Sequence, residues 1–176
     1  ISYVEVSGGI FCDMTIHDFD MARYLLGDEV VEVYAVGGVM IDPAIGVAGD
    51  VDTAVVVLRF AGGAIGTIDN SRQAVYGYDQ RVEVFGAAGM AAAGNETADR
   101  TTYADAEGMH GALPHYFFIE RYARAYIAEM EAFVDAVRND TEPPVTGRDG
   151  RAPIVIAHAA TRSLRERRPV RVEAAS

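Results

Sequence analysis

The chain has 176 residues, of which 50% are hydrophobic, and its formal net charge at pH 7 is −11. Nucleic acids and anionic membranes bind basic surfaces, so this acidic chain is expected to bind neither. No apolar run reaches the roughly 18 residues that a membrane span needs. The length suits one domain, and the single cysteine, Cys12, excludes an internal disulfide and fits a reducing cytoplasm.

The first part of the chain alternates apolar segments with glycine-rich turns. Because it begins at Ile1 rather than at a methionine, we expect it to be a piece of a longer protein. A helix is predicted up to Leu26, and residues 41–49, with a proline and two glycines, are predicted as a loop. Strands are predicted at residues 3–6, 30–39, 50–60 and 64–71, the last two joined by a turn at Gly62-Gly63.

The second part of the chain combines short strands with two clear helices. Residues 74–80 are predicted as an irregular, tyrosine-rich connection, and residues 104–116 as a long loop. Helices are predicted at residues 117–139 and 150–166, and the first of them carries one apolar stripe. Short strands are predicted at residues 81–85, 90–93, 100–103 and 169–172.

This order of elements predicts an α+β fold. A helix, several strands, two helices and a final strand do not alternate as in a doubly wound sheet. They favour an open, mostly antiparallel sheet with helices packed on one face. The other face of such an apolar sheet stays uncovered, so we expect it to pair with another subunit in a homo-oligomer.

The stretch 8–27 is a glycine loop that runs into the first long helix, and it is the main candidate for a functional site. Asp13 or Thr15 is expected to cap the start of the helix, and Gly27 to take the left-handed conformation just past its end. Asp13 and His17 are four residues apart, so they are expected to share one face of the helix. A carboxylate beside an imidazole fixes the tautomer of the ring and stabilises its protonated form, which makes the ring a general base.

The same side chains allow two other interpretations. An Asp–His pair at this spacing is common as a surface salt link or a helix cap. A metal site would use Asp13, His17 and Asp20, but no second histidine or cysteine stands at ligand spacing, so no metal is predicted.

Arg72, Tyr76 and Tyr78 stand where the chain leaves the second strand of the predicted hairpin. Their side chains are candidates for hydrogen bonds to a polyhydroxylated ligand, and the alternative is a packed loop with amphipathic tyrosines. Tyr126 lies on the apolar stripe of the long helix. There, packing in a core is the alternative to a hydroxyl at the edge of a pocket.

Two glycine-rich segments, 62–66 and 86–89, superficially resemble phosphate-binding loops. Neither leads from a strand into a helix at the required spacing, so hairpin turns explain both. The sequence also has no dinucleotide-binding fingerprint and no lysine.

Four segments resemble the Gfo/Idh/MocA family of oxidoreductases. Residues 8–20, GGIFCDMTIHDFD, are similar to the signature of the family's second domain, and residues 70–86 resemble its inositol 2-dehydrogenase branch. Residues 118–129 and 146–170 also fit, so the resemblance extends over nearly the whole chain. The family combines an N-terminal Rossmann domain with a C-terminal α+β domain. The resemblance implies that residues 1–176 are one substrate-binding and oligomerisation domain without its dinucleotide-binding partner.

The resemblance implies an NAD-dependent polyol dehydrogenase. NAD, with NADP as the alternative, would bind mainly to the missing domain, which would also supply a catalytic lysine from a Glu-Lys-Pro motif. Asp13 and His17 match the family's Asp-x-x-x-His pair. Tyr78 and Tyr126 match positions near the substrate in the inositol branch.

The implied reaction is oxidation of myo-inositol to 2-keto-myo-inositol (scyllo-inosose). His17 would remove the proton of a ring hydroxyl while the carbon gives hydride to the nicotinamide, and Asp13 would hold and polarise His17. The isolated chain is expected to be inactive, because it lacks the cofactor site and the lysine. The alternatives are a dehydrogenase of another sugar or polyol, a non-catalytic binding or oligomerisation module, and a metal-dependent lyase or hydrolase.

Overall fold

The computed structural model describes residues 2–173, which form an α+β fold, as the sequence predicts. The chain divides into two compact units: the first comprises the residues up to Gln73 and from Val145 onward, and the second comprises Ala74–Pro144. In the described part, all paired strands run antiparallel. None of the helices described there is long and apolar enough to cross a membrane.

The elements are numbered in chain order, and a π-helical turn at Phe11–Thr15 directly precedes α2. The elements are α1 (Ser2–Ser7), α2 (Ile16–Leu26), β1 (Val30–Gly38), α3 (Pro43–Val47), β2 (Thr53–Phe60), β3 (Ile65–Ser71), β4 (Val82–Gly86), β5 (Gly89–Ala93), β6 (Thr102–Ala104), β7 (Met109–Gly111), α4 (Phe118–Asn139), α5 (Gly147–Glu166) and β8 (Val170–Arg171).

A four-stranded sheet in the order β3-β2-β1-β8 is the centre of the first unit. β2 and β3 form the hairpin that the sequence predicts at Gly62-Gly63, and Gly63 has a φ of 94°, which favours glycine. In this register Thr53 lies opposite Ser71. The residues just after β3 and just before β2 are therefore neighbours in space.

One face of this sheet packs against α5, which in turn packs against α2, and these elements form the core of the first unit. Phe19 of α2 and Ile156 of α5 are both buried there. Removing one such apolar side chain from water contributes about 1.5–3 kcal/mol to folding. The members of this core on β2 alternate along the strand and are Ala54, Val56, Leu58 and Phe60.

The other face of the sheet carries apolar side chains that no described helix of the first unit covers. Tyr34, Val36, Val55 and Val57 lie on it and are between 37% and 45% exposed. The prediction of an open sheet with helices on one face is therefore confirmed for the first unit.

The second unit contains two hairpins, β4–β5 and β6–β7, and the long helix α4. The apolar stripe predicted for α4 is present. In the described part of the chain, Ala136 is the only buried residue of α4. Met130, Phe133 and Val137 are each more than half exposed. In this structure the stripe is thus a surface of α4.

Three predictions of local structure are wrong. Residues 3–6 are helical in α1: no described strand lies beside them, and a helix satisfies their backbone groups internally. Residues 41–49 contain helix α3, whose first turn is capped by Asp42, with Ala44 N–H donating to the carboxylate at 2.9 Å. The predicted loop at 104–116 contains β7, which pairs with β6.

Candidate active site

The chain enters the site through two consecutive glycines. Gly8 and Gly9 both have φ angles of 85°, a conformation that other residues rarely adopt. The amides of Cys12 and Asp13 then donate to the carbonyl of Gly9 at 3.1 and 3.0 Å, which starts the helix. The left-handed end of α2 at Gly27 is as predicted, with a φ of 59°.

The prediction that Asp13 or Thr15 caps this helix is wrong. Neither the π turn nor α2 has a side-chain cap, because both side chains bind elsewhere. The hydroxyl of Thr15, which is completely buried, donates to Asn70 Oδ1 at 2.5 Å. Asn70 Nδ2 donates in turn to Asp18 Oδ2 at 2.9 Å, so strand β3 supports both ends of the first helical turn.

Asp13 lies within the π turn rather than in a regular α-helical turn. A π turn contains one more residue per hydrogen-bonded turn than an α turn, and it is frequent at functional sites. Among the described residues, no hydrogen bond or ion pair joins Asp13 to His17, although the four-residue spacing of a regular α-helix predicts such a contact. Among residues 2–173, Asp13 contacts Tyr3 and Arg72 instead: Tyr3 Oη donates to Oδ1 at 2.5 Å and Arg72 Nη1 to Oδ2 at 2.7 Å.

Arg72 joins two carboxylates that are distant in sequence. Besides its bond to Asp13, it donates through Nη2 to Asp50 Oδ2 at 3.2 Å. The exposed fractions of the three side chains are only 13% for Arg72, 11% for Asp13 and 14% for Asp50. Asp50 also accepts the backbone N–H of Ile10 at 3.1 Å. The cluster therefore connects the end of β3, the segment before β2 and the glycine turn.

His17 stands on the first turn of α2 with its side chain exposed. In the described part of the chain, neither a hydrogen bond nor an ion pair of its imidazole is present. A ligand in front of this turn thus has direct access to the ring nitrogens. The alternative of a surface salt link between Asp13 and His17 does not describe this structure.

Asp52 is a further carboxylate beside the cluster and, unlike Asp13 and Asp50, it is fully inaccessible to solvent. The N–H groups of Met40, Ile41 and Asp42 donate to it at 2.8 to 3.1 Å, and the Thr53 hydroxyl at 3.0 Å. Burial acts to raise the pKa of Asp52, but these four donors outweigh it and lower the pKa to about 2. The ionised group therefore fixes the segment that leads into α3.

In the second unit, Asp79 organises the tyrosine-rich connection. It accepts hydrogen bonds from the hydroxyl of Tyr76, from Arg81 Nε at 2.7 Å and from Asn95 Nδ2 at 2.6 Å. The Arg81 bonds contribute most to a pKa of about 2 for Asp79, against the opposing effect of burial and with help from Tyr76 and Asn95. The hydroxyl of Tyr76 is thus already engaged within this loop.

Tyr78 is the partly buried tyrosine of the same connection. Its N–H donates to the carbonyl of His115 at 2.8 Å, and its ring meets Tyr122 edge to face with centroids 5.8 Å apart. Tyr126, one helical turn further along α4, is 48% exposed. Of the predicted site residues, Asp13, His17 and Arg72 belong to the first unit and the three tyrosines to the second.

The site residues of the first unit lie in a segment that matches a known family. A family model for the GFO/IDH/MocA C-terminal domain matches residues 2–92, just over half of the chain. The chain belongs to the GFO/IDH/MocA family. The matched segment includes Asp13, His17, Arg72 and Tyr78.

Individual relatives in this family are similar along almost all of the chain. The myo-inositol 2-dehydrogenase of Thermotoga maritima is 53% identical over 98% of this chain and 52% of its own length. The crystal structure of a myo-inositol dehydrogenase from Corynebacterium glutamicum superposes with a TM-score of 0.93 at 39% identity, over 99% of this chain and 52% of that one. The scyllo-inositol dehydrogenase of Lactobacillus casei, with NAD(H) and scyllo-inositol bound, gives a TM-score of 0.88 at 29% identity, over 94% and 49%. This chain therefore spans about half the length of these relatives.

NAD(H) is present in that last GFO/IDH/MocA structure, so the described residues can be tested for a place to hold it. The glycine-rich turns at 62–63 and 86–89 join β2 to β3 and β4 to β5, as predicted. Neither is a strand-to-helix loop of the kind that binds a pyrophosphate. These two turns therefore do not fit the phosphate part of NAD. No group of three or more metal-binding side chains is found among the described residues.

Sequence reasoning missed several residues of this GFO/IDH/MocA site. Asp50 and Asp52 were placed within a predicted strand, although two carboxylates before an apolar run require partners if they are buried. That requirement is the signal that points to Arg72, the cation that follows the paired strand. Asn70 gave a weaker signal, as a polar residue at the end of β3.

Proposed function

We propose that this chain is the substrate-side domain of an NAD-dependent inositol dehydrogenase that oxidises myo-inositol to 2-keto-myo-inositol. The observation that carries the proposal is the 53% identity with the Thermotoga maritima myo-inositol 2-dehydrogenase over 98% of the chain, which includes the Asp13–His17 segment. Conservation of a fold alone would not support it, because one fold serves many reactions.

His17 is the proposed general base. Its imidazole is exposed and has no protein partner in the described residues, so it can accept the proton of a ring hydroxyl that approaches α2. An imidazole titrates near neutral pH, which suits proton transfer in both directions. Asp13, one turn earlier and bound to Arg72, is proposed to assist as a negative charge that stabilises the imidazolium once it forms.

NAD, when bound, accepts the hydride that the alcohol carbon loses. We propose that it is held mainly by a dinucleotide-binding domain outside these 176 residues, with NADP as the alternative, and that a lysine of that domain contacts the reacting oxygen. The chain's own contribution to substrate binding is proposed to come from the hydroxyls of Tyr78 and Tyr126. Tyr76 is proposed to stabilise the loop next to the substrate rather than to bind the substrate, since its hydroxyl donates to Asp79.

The open face of the sheet is proposed to join subunits in a homo-oligomer. Tyr34, Val36, Val55 and Val57 present half-exposed apolar surface on it, and symmetric pairing of such faces is the usual way to bury them. A cytoplasmic location remains a prediction from the single cysteine.

A second candidate is a dehydrogenase of the same family for another cyclic polyol. It is favoured by the similarity to the Lactobacillus casei scyllo-inositol dehydrogenase, because the two inositols differ only in the configuration at one carbon. A non-catalytic binding or oligomerisation module is the remaining alternative. It gains some weight from the engagement of Asp13 with Tyr3 and Arg72 rather than with His17.

The test is a substrate panel on the full-length protein. Formation of NADH is followed with myo-inositol, scyllo-inositol and glucose, each with NAD and with NADP. The proposal expects the highest kcat/KM for myo-inositol with NAD. A preference for another polyol would support the second candidate, and no reduction of either cofactor with any member would favour the module.

A further inference from the structure

We propose that Arg72 is a positioning residue rather than a substrate ligand: its guanidinium fixes the carboxylate of Asp13 and, through Asp50, the glycine turn that starts the helix of His17. This inference rests on the proposed function in so far as Asp13 and His17 form the reacting site. It replaces the sequence-based expectation that Arg72 binds the polyol.

The backbone of Arg72 is itself fixed. It is the first residue after β3, and its N–H donates to the carbonyl of Asp52 at 2.8 Å. Asp52 is in turn completely buried and bound by four donors. The guanidinium therefore extends from a rigid point of the sheet toward the helix.

The hydrogen-bonding groups of Arg72 are directed to protein carboxylates. Nη1 donates to Asp13 at 2.7 Å and Nη2 to Asp50 at 3.2 Å, while Nε is buried without a hydrogen-bond partner in the described residues. Only 13% of the side chain is exposed. A polyol would have to displace Asp13 or Asp50 before it reached this guanidinium.

The effect on the glycine turn follows from Asp50. Its Oδ1 accepts the N–H of Ile10 at 3.1 Å, and a Cβ on Gly9 would lie 3.0 Å from that same oxygen. The carboxylate thus lies directly against the turn. Arg72 neutralises the negative charge of Asp50 and holds this carboxylate in the position that accepts the N–H of Ile10.

A lysine cannot replace this arrangement. The planar guanidinium contacts two carboxylates through separate nitrogens, whereas an ammonium is one point charge on a flexible stem. Arg72→Lys therefore preserves the net charge of the cluster and removes the bridge. Arg59→Lys is the matched control, because Arg59 on β2 is 67% exposed and its ion pair with Glu32 is long, at 3.6 Å.

The first test is hydrogen exchange of the full-length protein, which does not depend on activity. Arg72→Lys is expected to speed exchange of the amides of residues 10–13 by about tenfold while those of β2 stay unchanged, since local opening is separable from global unfolding. Arg59→Lys should change neither set. Unchanged exchange at residues 10–13 in Arg72→Lys would overturn the proposal, and so would an equal increase at both sets.

The second test separates positioning from substrate contact. With the best substrate of the panel, Arg72→Lys is expected to lower kcat about tenfold or more with KM within about threefold of wild type, because misplaced catalytic groups affect the reacting state most. In an Asp13→Asn background, Arg72→Lys should lower kcat by less than about twofold, because the effects of residues that act as a unit are not additive. A large rise in KM at unchanged kcat, or full additivity, would overturn the proposal. If the wild-type protein oxidises no polyol, the proposed function fails, and hydrogen exchange alone decides the role of Arg72.

Discussion

The hydroxyl of Thr15 donates a hydrogen bond to the side-chain oxygen of Asn70 at 2.5 Å, across 55 residues of sequence. Asn70 passes the connection on to Asp18 through its amide nitrogen. The first helical turn after the glycines is thus attached to strand β3 on one side, and the Arg72 cluster attaches it on the other. His17 lies between Thr15 and Asp18 in sequence, so its backbone is held, while its ring makes no hydrogen bond among the described residues.

Thr15→Val tests the first attachment. The change conserves shape and removes the hydroxyl, so Asn70 loses a donor in a buried place. The free energy of unfolding should fall by about 1–3 kcal/mol in urea titrations. The control is Thr102→Val on the exposed strand β6, which should stay within about 0.5 kcal/mol of wild type. Equal effects of the two changes would contradict the role given to Thr15.

Asp52 predicts a pH dependence of stability with a definite sign. Its pKa is lowered to about 2 in the folded state, below the value of about 3.9 for an unfolded aspartate. Its stabilising contribution is therefore fully present above about pH 4 and is lost as the pH falls through about 2. Asp52→Asn should lower the melting temperature by several degrees at pH 7, and the difference from wild type should shrink between pH 4 and 2.

The matched control for that measurement is Asp135→Asn, since Asp135 lies exposed on α4. This variant should melt close to wild type at every pH. A difference between Asp52→Asn and wild type that stays constant down to pH 2 would show that the charge of Asp52 is not what stabilises the segment before α3.

The strands and the main helices could be predicted from sequence because their signals are local. The apolar run of β2, the Gly62-Gly63 turn and the apolar stripe of α4 each need only neighbouring residues, although the run did not reveal that every second residue of β2 is exposed. The segment at 3–6 was predicted wrongly as a strand because it has no strand to pair with in the described chain. Strand formation depends on a partner, and spacing along one segment does not reveal it.

The candidate site could be predicted only where its signals are local. The spacing and the resemblance identified Asp13 and His17, but not the π turn between them, which has no composition of its own. The pairing of Arg72 with Asp13 and Asp50 bridges 59 and 22 residues, so only the fold brings these charges together. From sequence, Arg72 is therefore only a candidate for binding a polyol, and its ion pairs are not visible.

The tyrosines of the second unit should differ in their effect on inositol binding. Tyr78→Phe is expected to raise KM in the full-length enzyme about tenfold, the cost of one lost hydrogen bond to a ligand. Tyr76→Phe should have a smaller effect on KM, because its hydroxyl donates to Asp79. Tyr116→Phe, at a side chain that is 84% exposed, is the control. A larger KM effect for Tyr76 than for Tyr78 would reverse the proposed roles.

The 176-residue chain by itself should form no NADH from myo-inositol. Its glycine-rich turns at 62–63 and 86–89 are hairpin turns rather than strand-to-helix loops for a pyrophosphate, and the chain contains no lysine. Absorbance at 340 nm with saturating NAD and inositol checks this. Appreciable turnover by the purified chain would contradict the proposal that the cofactor is held mainly elsewhere.

The most direct measurement is the kcat/KM of the full-length enzyme with myo-inositol and NAD, compared among wild type, His17→Ala and His158→Ala. His158 is an exposed histidine of α5 and serves as the control. Loss of a general base predicts a decrease of about a hundredfold to ten-thousandfold for His17→Ala, a smaller decrease for Asp13→Asn, and no change for His158→Ala. Wild-type activity in His17→Ala would contradict the account.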